Sequence, residues 1–186
     1  MIWQIRDFIQ TIKTYQKTYK MAKALFISTN DLVKYTILNG NVDPDTYTQF
    51  IFQAQQVHIQ NFLGTKLYNK INNDIVAGTL TDPYLTLLND YIKLMVVWWS
   101  MVEFMPYSAI KISEKGVYKH NSENSTNVDK SEIDFLTEKA RDTAQSYTNR
   151  FIDYMTFNQV SFPEYNANSN ADVYPDKDAN FTGWVL

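Results

Sequence analysis

The chain has 186 residues, of which 45% are hydrophobic and 20% are charged, a composition typical of one globular domain and not of a disordered or fibrous protein. It contains no cysteine, which excludes disulfide bonds, thiol nucleophiles and cysteine-ligated metal sites. The net charge of −3 is unevenly distributed, because residues 1–27 carry +4 and residues from 158 onward carry −3.

The first predicted element is an amphipathic helical arm at residues 1–25. Its apolar residues recur every three or four positions, as on one face of a helix: Ile2, Ile5, Ile9, Ile12, Tyr15 and Tyr19. Its cations include Arg6, Lys13, Lys17 and Lys20. This basic face has three interpretations: a solvated surface, a contact with an acidic neighbour, or a contact with nucleic acid or anionic lipid. Charges interrupt the apolar positions, so no secretory signal is predicted.

Residues 26–157 are predicted to form one helical domain. A short helix ending at Tyr35 has N-cap candidates at residues 28–31, and a long helix over residues 44–63 starts with Pro44 at its first position. Gly64 is predicted to end that helix in the left-handed conformation, with Thr65 capping the next helix, to residue 77. A further helix ends near residue 105. Its most apolar run, residues 94–102, is about half the length that a bilayer requires and predicts a buried helix, not a membrane span.

Residues 107–128 are predicted to form a small insertion. Ile110 and Ile112 alternate with polar residues, residues 114–116 can turn, and residues 117–118 can return as a second strand, so a β-hairpin followed by a polar loop is expected. A long helix over residues 130–157 closes the domain. The predicted fold is therefore an all-α bundle of about five helices, with an arm before it and a hairpin within it.

Residues 158–186 are predicted to be an extended tail without regular structure. Aromatic residues punctuate this polar segment: Phe162, Tyr165, Tyr174, Phe181 and Trp184. The favoured interpretation is that these rings anchor the tail on a neighbouring chain. The alternative is that the tail wraps around its own bundle.

The sequence offers no constellation typical of catalysis. His58 lies on an apolar helix face, where a single histidine is more often a hydrogen-bonded core residue, and His120 has no companion. Asp134, Glu138 and Asp142 share one helix face, but cations alternate with them, which favours a solvated or partner-facing stripe. A glycine-rich phosphate loop and a serine elbow are both missing from the sequence. We therefore predict no catalytic residue, no cofactor and no metal site, and a protein that is not an enzyme.

Three segments of the sequence resemble the head–tail connector proteins (head completion or adaptor proteins) of tailed bacteriophages, particularly those of crAss-like phages. The segments are residues 26–36 (Phe-Ile-Ser-Thr-Asn-Asp-Leu-Val-Lys-Tyr-Thr), residues 39–43 (Asn-Gly-Asn-Val-Asp) and residues 54–68 (Ala-Gln-Gln-Val-His-Ile-Gln-Asn-Phe-Leu-Gly-Thr-Lys-Leu-Tyr). The likeness spans about residues 26–157 and rests on packing motifs. The arm and the tail depart from the compact form of that family.

The resemblance implies a structural virion protein that forms a ring, typically of twelve copies, below the portal. Such a ring extends the DNA channel, passes the genome without sequence-specific binding, and meets the next ring or the tail at the neck of a virion assembled in the host cytoplasm. The loop residues Lys115, Lys119 and His120 are then candidates for facing the channel or the portal, and the aromatic rings of the tail are candidates for anchoring it on the portal as well as on a neighbouring copy. No contact with a membrane is expected.

A competing hypothesis is a small helical nucleic-acid-binding regulator that uses the basic arm. It predicts salt-sensitive binding of free duplex DNA by a monomer or dimer. The connector hypothesis predicts negligible affinity for free DNA and formation of rings.

Overall fold

The computed structural model describes residues 23–38, 44–108, 110–113, 116–119, 129–167 and 172–178. Its helices in chain order are α1 (Thr29–Tyr35), α2 (Pro44–Ala54), α3 (Gln60–Ala77), α4 (Tyr84–Leu87), α5 (Lys93–Phe104), α6 (Lys130–Asn158) and α7 (Pro163–Asn166). The π-helical turns Gln55–Ile59 and Leu88–Ile92 join α2 to α3 and α4 to α5, while 3₁₀ turns follow α5 (Met105–Tyr107) and α6 (Gln159–Ser161). Most of the predicted arm, residues 1–22, lies outside the described residues.

Helix α5 is the centre of the bundle. Its sequence is apolar on nearly every side, and eight of its twelve side chains are buried, so neighbouring helices can pack around it. Phe104 meets Tyr47 of α2 edge to face at 5.3 Å between ring centroids. On α6, Thr148 Oγ1 accepts a hydrogen bond of 3.1 Å from Trp99 Nε1. The prediction of an all-α bundle around this apolar helix is confirmed.

Two helices begin with capping boxes, which satisfy backbone N–H groups of the first turn that have no intrahelical acceptor. Ser28 caps α1 together with Asp31, and Asp129 caps α6 together with Glu132. Burial raises the pKa of Asp31, but hydrogen bonds from the backbone and hydroxyl of Ser28, with Lys93 and Lys34 nearby, outweigh burial and lower it overall. The predicted starts of α1 and of the helix at Pro44 are confirmed.

Gly64 interrupts α3. Its φ of 72° and ψ of 155° lie in an extended region that is essentially reserved for glycine, so the break was predicted correctly but its conformation is not left-handed helical. Thr65, the predicted cap of the next helix, instead accepts a hydrogen bond of 2.9 Å on its Oγ1 from the N–H of Val173. The residues on either side of the break therefore meet the tail.

The predicted hairpin is present. Strands β1 (Ile110–Ser113) and β2 (Gly116–Lys119) pair antiparallel, with Ile110 opposite Lys119 and Ser113 opposite Gly116. The hairpin follows the 3₁₀ turn at the end of α5, which places it at the same end of the bundle as the start of α6.

The first part of the predicted tail belongs to the core. Phe162 is 0% exposed and Tyr165 is 2% exposed, both within the same hydrophobic cluster as α5 and α6. The expectation of no regular structure was wrong for residues 159–166, which form a 3₁₀ turn and α7. Residues 172–178 have no helix or strand, as predicted for a tail.

Candidate assembly surfaces

The tail is attached to its own bundle at the break in α3. Thr65 N–H donates to the carbonyl of Val173 at 3.0 Å, and Asp176 N–H donates to the carbonyl of Asn61 at 2.8 Å. The break frees these backbone groups from helical pairing, and the tail replaces the missing partners. Between the two bonds, the buried Pro175 fits against Gly64.

A second attachment involves α7 and the aromatic residues beside it. The Tyr84 hydroxyl donates to Glu164 Oε2 at 2.6 Å, and the Tyr84 ring meets Phe162 edge to face at 5.4 Å. Burial, followed by the hydrogen bond to Glu164, raises the pKa of Tyr84. Lys66 Nζ also donates to the carbonyl of Ala167. The tail is therefore held by polar contacts as well as by buried rings.

These contacts correct part of the predicted tail interface. Phe162 and Tyr165 cannot anchor the tail on a neighbour while they are buried in their own core, because an anchor must be accessible to the partner. Burial is the first cause that raises the pKa of Tyr165, to about 12. Tyr174 is 61% exposed and stays available, whereas Phe181 and Trp184 lie outside the described residues.

Two buried amide side chains hold the chain where the arm joins the bundle. Gln55 Oε1 accepts from the N–H of Phe26 at 2.8 Å, and Gln55 Nε2 donates to the carbonyl of Ala24 at 3.0 Å. Asn72 Oδ1 accepts from the N–H of Ala24 at 2.8 Å. This clamp was not predicted from the sequence, although polar amides on otherwise apolar helix faces are a usable signal. The predicted arm contacts Arg6, Lys13, Lys17 and Lys20 lie outside the described residues.

The start of α6 is largely exposed. Residues 129–138 contain no buried side chain, and the first buried residue of the helix is Ala140. Phe135 is 60% exposed and Leu136 is 39% exposed. Together with Ser131 and Glu132 they line an open groove of about 450 Å³. Four acidic residues and one lysine give residues 129–138 a net charge of −3. We call residues 129–138 the exposed start of α6.

The other end of α6 carries a second apolar surface of different character. Phe157 is 86% exposed and Val160 is 93% exposed. Residues 156–161 around them contain no charged residue. At a rise of about 1.5 Å per residue, Phe135 and Phe157 lie about 33 Å apart along the helix. Exposed apolar side chains of this size are typical of surfaces that bind other proteins. We call Phe157 and Val160 the C-terminal patch.

His58 is fully engaged in the bundle, as its position on an apolar helix face predicts. Its Nε2 lies 2.7 Å from Glu103 Oε1, and its ring stacks on Trp99 with 4.0 Å between centroids. Gln53 also donates to Glu103. Burial lowers the pKa of His58, the hydrogen bond to Glu103 raises it, and nearby Arg141 lowers it, with a net decrease. The contacts give His58 a packing role between the π-helical turn Gln55–Ile59 and α5.

The acidic row on α6 is a charged surface stripe. Asp134, Glu138 and Asp142 are all exposed. Glu138 lies 3.5 Å from Arg141, and Asp142 lies 3.6 Å from Lys139. Within the part of the chain that the structure describes, no three metal-ligating side chains come together. Likewise, none of the described helices is long and apolar enough to span a bilayer.

The predicted channel loop is described only in part. Lys119 is the last residue of β2 and pairs with Ile110 across the hairpin. Lys115 and His120 lie outside the described residues. The role of these three residues toward a channel or a portal therefore stays a prediction.

Comparison with known proteins identifies a family. Residues 59–175 match the family of unknown function DUF6712. The chain belongs to this family. The match begins at the end of the first π-helical turn and ends at Pro175, so it includes the break at Gly64 and the tail residue that packs against it. No curated protein and no solved structure matches the chain.

Proposed function

We propose that this chain is a structural protein of a tailed-phage virion, a head–tail connector that forms a ring below the portal and extends the DNA channel. The resemblance of about residues 26–157 to connector proteins is the source of this proposal, and the two surfaces of α6 support it. Under the proposal the protein resides at the neck of the virion, where it contacts the portal and the adjacent ring or tail protein.

One observation carries the proposal: α6 bears two unlike exposed apolar surfaces at its opposite ends. A closed ring needs heterologous contacts, in which one patch of each copy meets a different patch of the next. The exposed start of α6 is acidic, while the C-terminal patch is uncharged. Two unlike patches about 33 Å apart along a rigid helix provide surfaces for a neighbour on each side or for a ring above and below.

The bundle is also held together before assembly, as a subunit of a ring requires. The tail returns across α3. An aromatic cluster of Tyr84, Phe162 and Tyr154 joins α4, α6 and the segment before α7. Assembly then joins preformed bodies, and fewer residues lose conformational freedom on association.

The test is the oligomeric state of the full chain, alone and mixed with the portal protein encoded by the same genome. Mass photometry is expected to give a ring of defined stoichiometry, and negative-stain images are expected to show a central hole. The double variant Phe157→Ser/Val160→Ser should form fewer rings. The control Ile37→Ser/Val76→Ser, which also removes two exposed apolar side chains, should assemble normally.

A monomer that binds duplex DNA with strong salt dependence and never forms rings would refute the connector proposal and favour the regulator hypothesis.

A further inference from the structure

We infer that the exposed start of α6 binds the basic amphipathic arm of a second copy of this chain. This inference rests on the proposed function, because it names the contact that would join neighbouring subunits of the ring. It commits to one occupant, residues 1–22 of the next copy, and to one surface, residues 129–138.

The surface has the chemistry to bind an amphipathic helix. Phe135 directly follows Asp134 and precedes Glu138 by three residues, so helical geometry places its ring beside the carboxylate row. Leu136 extends the apolar surface beside Phe135. Lys139 Nζ already lies 5.7 Å from the Phe135 ring centroid, which is cation–π geometry that a lysine of a partner can also adopt.

The arm carries the complementary features in its sequence. Isoleucine at positions 2, 5, 9 and 12 gives one apolar stripe, which matches the apolar part of the surface. Lys13, Lys17 and Lys20 follow at helical spacing and match the acidic part. The arm has 22 residues and is therefore longer than the exposed start of α6, whose ten residues span about 15 Å.

The ring proposed above favours the arm of a second copy over the arm of the same chain, because a closed ring needs a contact between neighbouring copies. Ala24 and Phe26 are fixed by Gln55 and Asn72, on the side of the bundle formed by α2 and α3. Among the described residues, α2 and α6 each pack extensively on α5. The arm of the same chain is the competing occupant, and the crosslinking experiment below separates the two.

The absence of cysteine makes a crosslinking test clean. One full-length variant carries Ile9→Cys, and a second, with an affinity tag of different mass, carries Leu136→Cys. Mixed under mild oxidation, they are expected to form a disulfide-linked heterodimer. The control mixture of Ile9→Cys with Val76→Cys, a similarly exposed position on α3, should yield no heterodimer.

If the double variant Ile9→Cys/Leu136→Cys closes only within single chains, or if no crosslink forms in any mixture, the inference is wrong. Rings that form without the crosslink would leave the connector proposal standing while overturning this contact. Crosslinked open chains without rings would support the contact and overturn the ring.

A charge exchange tests the same contact without cysteine. Lys13→Glu/Lys17→Glu should weaken self-association by about tenfold, and adding Asp134→Lys/Glu138→Lys to the same chain should restore most of it. Asp153→Lys, an exposed change elsewhere on α6, is the matched control and should restore none. If the arm variant self-associates normally but loses binding to duplex DNA, the arm contacts nucleic acid and the inference is refuted.

Discussion

Gly64 and Pro175 lie in direct contact although 111 positions separate them in the sequence: a β-carbon built on residue 64 would come within 2.6 Å of the Pro175 ring. The positive φ of Gly64 bends α3 and leaves backbone groups beside it without helical partners. The tail forms hydrogen bonds with those groups on both sides of the proline. The contact fixes the path of the tail across the bundle.

Replacing this glycine should therefore loosen the tail. Gly64→Ala forces a non-glycine residue into a glycine-only conformation and against Pro175, so we expect the free energy of unfolding to fall by about 3 kcal/mol. Gly78→Ala is the matched control, because its φ is also positive but open space surrounds it, and it should cost about 1 kcal/mol. Urea unfolding measures both. Faster hydrogen exchange at Val173 and Asp176 is expected for Gly64→Ala alone, and unchanged exchange there would contradict this account.

The role of Phe162 can be separated from that of an exposed ring nearby. Phe162→Ala empties a fully buried position and should lower the free energy of unfolding by about 3–5 kcal/mol. Phe157→Ala removes the same side chain from an exposed position five residues earlier and should change stability by about 0.5 kcal/mol or less. Thermal or urea unfolding gives the comparison. Similar losses for the two variants would show that Phe162 is not a core residue.

Truncation after Asn158 should yield an unstable chain, not a folded bundle. It removes Phe162 and Tyr165 from the core and leaves Tyr84 without its partner Glu164. Truncation after Asp178 keeps all of these contacts and is the control. We expect the shorter chain to aggregate or to lose its cooperative unfolding transition, as measured by circular dichroism. A cooperative transition at the wild-type temperature would contradict the assignment of residues 159–166 to the core.

Gln55 should be as important for stability as an apolar core residue. Gln55→Leu fits a similar volume but leaves the N–H of Phe26 and the carbonyl of Ala24 without their partner, so we expect a loss of about 2–4 kcal/mol. Gln53→Leu, at an exposed position near the end of α2, is the control and should cost less than about 1 kcal/mol. Hydrogen exchange at Phe26 should accelerate only in the first variant, and equal protection in both would argue against the clamp.

Stability should depend on pH through His58. Burial lowers its folded-state pKa below the ordinary value of 6.5, and the hydrogen bond to Glu103 offsets burial only in part. The unfolded chain therefore binds the proton more readily, so the free energy of unfolding should fall as the pH drops below 6.5, until the folded-state pKa has been passed. Urea unfolding between about pH 7.5 and 5 should show a steeper decline for the wild type than for His58→Gln. Parallel profiles would remove His58 as the cause.

Much of the architecture was predictable because local signals agree with it. Proline and capping residues determine where helices begin, as at Ser28 and Pro44, and the spacing of apolar residues identifies the buried face of each helix. The alternation around Ile110 and Ile112 predicted the hairpin, and the apolar run of α5 predicted its central position. Positive φ at Gly64 was expected from its place between two helices, although the value of ψ was not.

The tail and the assembly surfaces were harder to predict, because the local sequence does not determine whether an aromatic side chain is buried in the core or exposed at the surface. Phe162 and Phe157 look equally suited to be buried or exposed, and only the direction of the chain after α6 separates them. Similarly, nothing near Gln55 indicates that its amide pairs with residues 24–26, since that pairing joins segments about 30 positions apart.

The sequence by itself determined where α1, α2 and α6 begin, the apolar faces and the charge contrast between the two ends of the chain, because these follow from hydrogen-bond capping, helical periodicity and composition. Only the tertiary structure decided which rings are core and which are surface, and that the tail closes over Gly64. Those outcomes depend on contacts between distant segments, whose burial and hydrogen bonding exist only once the bundle has formed.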